Sequence, residues 1–268
     1  MKKVALITGW ENKEREISLL SAKNVFENID SSKFEVEVFD FPARKNDFIK
    51  HAQNFDIVLP FIHGVGGEDW AITAFCEFVG APCLFSSAQA HRLCLDKHLS
   101  NLFAKNAWFD APESYLIRSI EKLKNVNIEW KIFIKPCNGG SSVDNGVFEN
   151  VYAWQELIEK ILTYDEVIVQ EFIQKEREFT VSIIGDYDKN PQVMAISEVI
   201  TQKEIFDYDA KYKADGAIEI VHAELAEALK ASINTTALKI YKMFQLRTFS
   251  RIDFLYANNT LYFLEVNT

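Results

Sequence analysis

The chain has 268 residues, 48% of them hydrophobic and 25% charged, which is ordinary globular composition with room for two or three modest domains. A formal net charge of −10 argues against a nucleic-acid groove, which needs an excess of Lys and Arg. No run approaches the roughly 20 apolar residues of a membrane span, so neither nucleic acid nor membrane is an expected partner.

Met1-Lys2-Lys3 and the apolar run 4–8 resemble a signal peptide only in outline. The run is too short, and charge returns at Glu11 and Lys13, so it reads as a first strand. Next come an amphipathic helix over 16–29, an alternating strand over 34–39 and a short buried strand over 56–61. A helix over 68–79 sets Ile72, Phe75, Cys76 and Val79 at core spacing. Strand and helix alternate, which predicts an open, doubly wound α/β domain over residues 1–93.

A central domain is expected over 94–171. Its first helix, beginning at Leu95-Asp96-Lys97, is predicted to turn Leu99, Leu102 and Phe103 inward. Strands are expected at 114–117, 131–135 and 166–171, with a helix near 154–162. Cys137-Asn138-Gly139-Gly140-Ser141-Ser142 is a loop by composition. The third domain, 172–268, carries strands at 179–184 and 193–200, an irregular stretch, a helix over 224–244 and a terminal hairpin. Cys76, Cys83, Cys94 and Cys137 show no CxxC spacing and read as reduced core thiols of a cytoplasmic protein.

The hairpin holds the most informative chemistry. Residues 251–256 and 261–267 are β-rich and flank Asn258-Asn259, a turn dipeptide. Side chains alternate faces along a strand, so Arg251 and Asp253 share one face, and Glu265 and Asn267 share one face of the partner. Pairing Asp253 with Glu265 puts Arg251 opposite Asn267, with Ile252, Phe254, Leu264 and Val266 on the far side. Two carboxylates and a carboxamide oxygen suit a hard cation such as Mg²⁺. A hairpin with one solvated face would carry the same residues.

Lys135 closes an apolar strand and leads into the glycine-serine turn, whose N–H groups can cradle phosphate. The string is neither a P-loop nor a GxGxxG, and a surface turn reads the same way. Lys97 starts a helix, where a solvated lysine is the plain alternative. Glu171 and Glu178 bracket Phe172-Ile173, an apolar hinge suited to adenine and ribose or simply to a linker.

Taken in order, these signals resemble the ATP-grasp nucleotide and metal sites. Four more segments narrow the resemblance to the D-alanine–D-alanine ligases: Glu14-Arg15-Glu16-Ile17-Ser18-Leu19, His63-Gly64-x-x-Gly67-Glu68-Asp69, Leu95-Asp96-Lys97, and Phe206-Asp207-Tyr208-Asp209-Ala210-Lys211-Tyr212. The resemblance covers essentially the whole chain. It implies an ATP-grasp fold in which an N-terminal doubly wound α/β domain accompanies two α+β domains that clasp ATP.

The family also implies roles. Lys97 and Lys135 would neutralise ATP phosphates, with Ser141, Ser142 and Lys211 among the nucleotide contacts. Glu171, Phe172 and Ile173 would hold adenine, and Glu178 the ribose. Asp253, Glu265 and Asn267 would hold two Mg²⁺ ions, with Mn²⁺ as a substitute. Glu14 would take the ammonium of the first D-alanine, linked to Ser141 and Tyr212, with His63 nearby. Arg251 would contact substrate and stabilise developing oxyanion charge. A homodimer is implied.

Four positions depart from the family pattern. Gly9 is followed by Trp10 in place of a second glycine, and Trp70 replaces a glycine after Asp69. Asp144-Asn145-Gly146 stands where a single glycine usually follows Val143, adding a carboxylate beside the expected phosphates. The sequence stops at Glu265-Val266-Asn267-Thr268, whereas the family continues into a serine-bearing segment for the second D-alanine. These departures keep two other readings open: an ATP-grasp ligase with a different acceptor, and a non-catalytic nucleotide-binding remnant.

Overall fold

The computed structural model describes residues 1–12, 14–123, 131–139, 144–149, 154–200 and 218–268. The chain divides into two compact units, one formed by residues 1–92 with 245–248 and Thr268, the other by 93–244 and 249–267.

In the first unit, β1 (Lys2–Gly9), β2 (Phe34–Phe41) and β3 (Ile57–Pro60) make a parallel sheet in the order β2-β1-β3. Around it run α1 (Arg15–Asn28), α2 (Lys45–His51) and α3 (Ala71–Val79). Alternation along β1 explains the layering. Val4 and Leu6 join Ala22 of α1 in one apolar cluster, while Ala5 and Ile7 join Phe48 of α2 and Ile72 and Cys76 of α3 in another. A parallel sheet whose central strand is apolar on both sides must be covered on both faces, and this one is. The helix over Ala71–Val79 buries Ile72 and Cys76 and packs Phe75 and Val79 against the same cluster, as the spacing predicts. It begins later than residue 68 because Asp69 takes the N–H groups of Trp70 and Ala71 in a turn (2.6 and 2.9 Å). The helices α2 and α4 (Ala88–Leu95) lie outside the predicted set.

The second unit opens with α5 (Lys97–Asn106), capped by Asp96, which accepts the Leu99 N–H at 2.9 Å. Here the expected orientation is wrong. Leu99, Leu102 and Phe103 are 44%, 40% and 38% exposed, and the buried residues are Ser100, Asn101 and Ala104. Small side chains let the helix lie close to its neighbours, and Asn101 donates to the Pro112 carbonyl (3.1 Å). Phe103 makes an edge-to-face contact with Phe244 at 5.1 Å.

Two antiparallel sheets follow. β4 (Ser114–Ile117), β5 (Ile132–Pro136), β6 (Gly146–Phe148) and β7 (Val167–Glu171) pair in the order β4-β7-β5-β6. The short α6 (Ile120–Leu123) follows β4, and α7 (Gln155–Leu162) buries Ile158 and Ile161 with Trp154 against this sheet. The larger sheet joins β8 (Arg177–Ile184), β9 (Gln192–Ile200), β10 (Ile218–Ile220), β11 (Phe249–Ala257) and β12 (Thr260–Asn267) in the order β10-β9-β8-β11-β12. α8 (Glu227–Met243) buries Ile233, Ala237, Ile240 and Tyr241, and packs on β8 and β9.

Candidate functional site

The β11–β12 hairpin has the register its alternation predicts: Arg251 faces Asn267, Ile252 faces Val266 and Asp253 faces Glu265. Asn258 and Asn259 both take positive φ (50° and 60°), which asparagine tolerates in tight hairpin turns. One detail differs. A bulge after Asp253 pairs Phe254 with Phe263, so Leu264 is the extra residue and stays only partly buried, while Phe263 takes the core position. Bulges commonly re-aim side chains beside functional sites.

The carboxylate of Asp253 is the hub of this face. It accepts Arg251 Nε and Nη2 (3.0 Å each), Thr180 Oγ1 (2.6 Å) and Asn267 Nδ2 (3.0 Å). The nearby Asp253 charge pushes the Arg251 guanidinium above its ordinary range. Thr180 lies opposite Asp253 on β8, a neighbour that only the sheet order reveals. Glu265 is 3.7 Å from the ammonium of Lys97, and that ammonium also donates to the Gly139 carbonyl. Lys97 is held from its backbone too, its N–H donating to Cys137 O (3.1 Å), while Cys137 Sγ donates to Asp96 (3.2 Å). A helix start, the glycine-bearing loop and the hairpin are thus joined at one lysine.

The donors suit Mg²⁺: two carboxylates and a carboxamide, all oxygen ligands, from strands paired in register. Among the described residues no group of three or more His, Cys, Asp or Glu could hold a metal, and this set counts a carboxamide beside its two carboxylates.

The other expected nucleotide contacts are placed as follows. Lys135 is buried on β5, its ammonium 5.4 Å from the Phe133 ring centroid. Glu171 ends β7, where its N–H donates to Glu113 O (2.8 Å). Phe172 donates to Lys131 O (2.8 Å), its ring lies under the Lys131 ammonium (4.9 Å), and Ile173 is half-buried beside it in sequence. Glu178 is buried on β8 and ion-paired with Lys175. Ser141, Ser142, Lys211 and Tyr212 lie outside the described residues. The added carboxylate of Asp144 meets Lys160 Nζ and Tyr164 Oη, both at 2.7 Å, so its charge is answered from α7 and the turn after it.

In the first unit, Glu14 precedes α1, and its N–H donates to Asn12 Oδ1 (2.9 Å). Asn12 Nδ2 in turn donates to the His63 and Val65 carbonyls (2.8 Å each). The His63 N–H donates to Ser18 Oγ, and its Nε2 meets Ser21 Oγ, both at 2.9 Å. Its Nδ1 lies 3.5 Å from Glu68, and that contact raises the imidazole pKa. Gly64 brings its open face against the Glu14 carboxylate, since a Cβ there would overlap Oε2. Glu14 and His63 therefore share one structured corner, and Asn12, Ser21 and Thr180 are the supporting residues that sequence reasoning passed over.

These two antiparallel sheets, with a lysine, a glycine-bearing loop and an acidic hairpin in one unit, are those of an ATP-grasp protein. A family model described as D-ala D-ala ligase C-terminus matches residues 101–268. The D-alanine–D-alanine ligase of Fervidobacterium nodosum is 34% identical over 99% of this chain and 88% of its own length. D-alanine–D-alanine ligase B of Clostridium perfringens is 32% identical over 99% and 87%. Among solved structures, D-alanine–D-alanine ligase from Bacillus anthracis matches with a TM-score of 0.84 at 26% identity, covering 100% of this chain and 87% of that one. VanG D-Ala:D-Ser ligase from Enterococcus faecalis matches at 0.81 and 25%, covering 100% and 90%. The chain belongs to the D-alanine–D-alanine ligase family.

Proposed function

We propose that the chain joins two D-alanines, with cleavage of ATP to ADP and phosphate, to supply the dipeptide used in peptidoglycan synthesis. The observation that carries this reading is the hairpin register, which gathers Arg251, Asp253, Glu265 and Asn267 on one face beside Lys97. A carboxylate is a poor electrophile. The first D-alanine's carboxylate oxygen therefore attacks the γ-phosphorus, releasing ADP and leaving an acylphosphate. The amine of the second then attacks the acyl carbon, loses a proton, and expels phosphate from the tetrahedral adduct.

Asp253, Glu265 and Asn267 would hold two Mg²⁺ ions, or Mn²⁺, which when bound neutralise phosphate charge. Lys97 and Lys135 add positive charge, with Ser141, Ser142 and Lys211 as further nucleotide contacts. Glu171, Phe172 and Ile173 receive adenine, and Glu178 the ribose. Arg251, oriented by its paired bonds to Asp253, stabilises the tetrahedral oxyanion. Glu14 takes the first substrate's ammonium, His63 flanks it, and Tyr212 and Ser141 complete that link. We read residues 1–93, 94–171 and 172–268 as the three functional divisions. No helix among the described residues is long and apolar enough to cross a membrane. We propose a homodimer that works in the cytoplasm.

ADP release and product mass decide the matter. The reading expects turnover with D-alanine and none with L-alanine, with a product of two D-alanines less one water. No D-alanine-dependent release would defeat it. The match to a D-Ala:D-Ser ligase at 25% identity favours one second reading, a D-serine acceptor, which predicts mixed dipeptide in preference when both amino acids are supplied.

A further inference from the structure

Trp10 stands where β1 ends, with φ +76, a left-handed backbone that glycine adopts freely and a bulky residue rarely does. Several contacts hold it there. Its N–H donates to the Phe41 carbonyl (2.9 Å), its ring centroid is 6.0 Å from that of Phe41, and the Lys45 ammonium lies 5.3 Å from the indole. The ring also rests on Gly66, where any Cβ would overlap three indole carbons. Gly66, at φ +101, belongs to the segment 63–69. That segment is also fastened by the two Asn12 bonds to the His63 and Val65 carbonyls, by the His63 bonds to Ser18 and Ser21, and by the bond from Gly66 N to Asp69 (3.0 Å).

We propose that Trp10 is a positioning residue for the subsite that takes the first D-amino acid. Its indole spans from Phe41 to Gly66 and holds the 63–69 segment so that the Gly64 backbone stays against the Glu14 carboxylate. The strained backbone explains itself on this account: glycine would fit φ +76 without cost but would leave nothing on Gly66. The proposal rests on the reading of Glu14 as the ammonium acceptor, and its test has one arm that does not.

Trp10→Gly should fold, because glycine suits the backbone, and Trp10→Phe keeps a ring. Hydrogen exchange reads the hold on the segment. Amides of residues 63–69 should exchange on the order of tenfold faster in Trp10→Gly, with the second unit unchanged, and Trp10→Phe should restore most of the protection. Kinetics read the subsite. KM for D-alanine should rise on the order of tenfold in Trp10→Gly while KM for ATP stays put, again recovering in Trp10→Phe. Unchanged exchange, or a parallel rise in both KM values, overturns the proposal. If the unsubstituted chain fails to turn over D-alanine, the ligase reading falls and takes the subsite role with it. The exchange arm then still decides whether Trp10 holds the segment.

Discussion

Replacing Asp253 with Asn changes one atom and strikes both the architecture and the chemistry of the hairpin. The carboxylate takes four donors on two oxygens: Arg251 twice, Thr180 and Asn267. With an amide in its place, the new NH₂ must face either Thr180 and Arg251 Nε, or Asn267 and Arg251 Nη2. The threonine hydroxyl can rotate to accept, and Asn267 can turn its amide to offer oxygen. The guanidinium has no acceptor, so one charge-assisted bond to Arg251 is lost in either orientation. Such a bond contributes about 1.5–3 kcal/mol. The Arg251 side chain is 46% exposed, so water recovers part of that, leaving a loss of about 1–2 kcal/mol. The melting midpoint should fall by roughly 2–8 °C. The effect on turnover should be larger in kind: a neutral amide replaces a carboxylate ligand, and Mg²⁺-dependent ADP release with D-alanine should drop about a hundredfold or more. Glu265→Gln should lower turnover in the same way. The assay is D-alanine-dependent ADP release across a Mg²⁺ titration, run beside thermal melts. Full turnover in both variants at ordinary Mg²⁺ would refute the metal assignment, whatever the melts show.

Three further outcomes follow from the geometry. Glu68 raises the His63 pKa above 6.5 in the folded chain. The contact therefore stabilises the fold fully below about pH 6.5 and stops doing so as pH climbs through the raised value. Glu68→Gln should lower the His63 titration by NMR and flatten stability across that window, and matching titrations in both proteins would contradict the pairing. Burial and the bond from its own hydroxyl to Asp144 hold the Tyr164 phenol above its ordinary range. Ultraviolet titration of Asp144→Asn should show Tyr164 ionising at lower pH, and an unshifted phenol would count against the contact. Gly64→Ala sets a methyl where Glu14 Oε2 lies, at a φ of +71. It should cost roughly 1 kcal/mol of stability and raise KM for D-alanine with little change in KM for ATP, and equal shifts in both would argue against Glu14 as the ammonium site.

The hairpin was legible because strand alternation and an Asn-Asn turn leave few registers, and the observed pairing of Asp253 with Glu265 is one of these. Its bulge was not. A bulge adds a residue without a compositional mark, so Leu264 reads as core although Phe263 takes that place. Thr180 was hidden for a different reason: nothing local to β8 shows that β11 lies beside it. Helix orientation failed at α5, because large apolar residues suggest the buried face, while this helix buries Ser100, Asn101 and Ala104 instead. The helix over Ala88–Leu95 hides likewise behind Ala90, His91 and Cys94, a buried face without Leu, Ile or Phe. In the corner around Glu14, motif residues were readable, but their fastening by Asn12 and Ser21 depends on a segment some 50 residues away meeting α1 in space.

Soaking crystals with Mn²⁺ and a non-hydrolysable ATP analogue, and locating the metal by its anomalous signal, tests the heart of this account. The hairpin account predicts peaks ligated by Asp253, Glu265 and Asn267, with the triphosphate bridging them toward Lys97. Peaks at other side chains, with none at Asp253, Glu265 or Asn267, would contradict it.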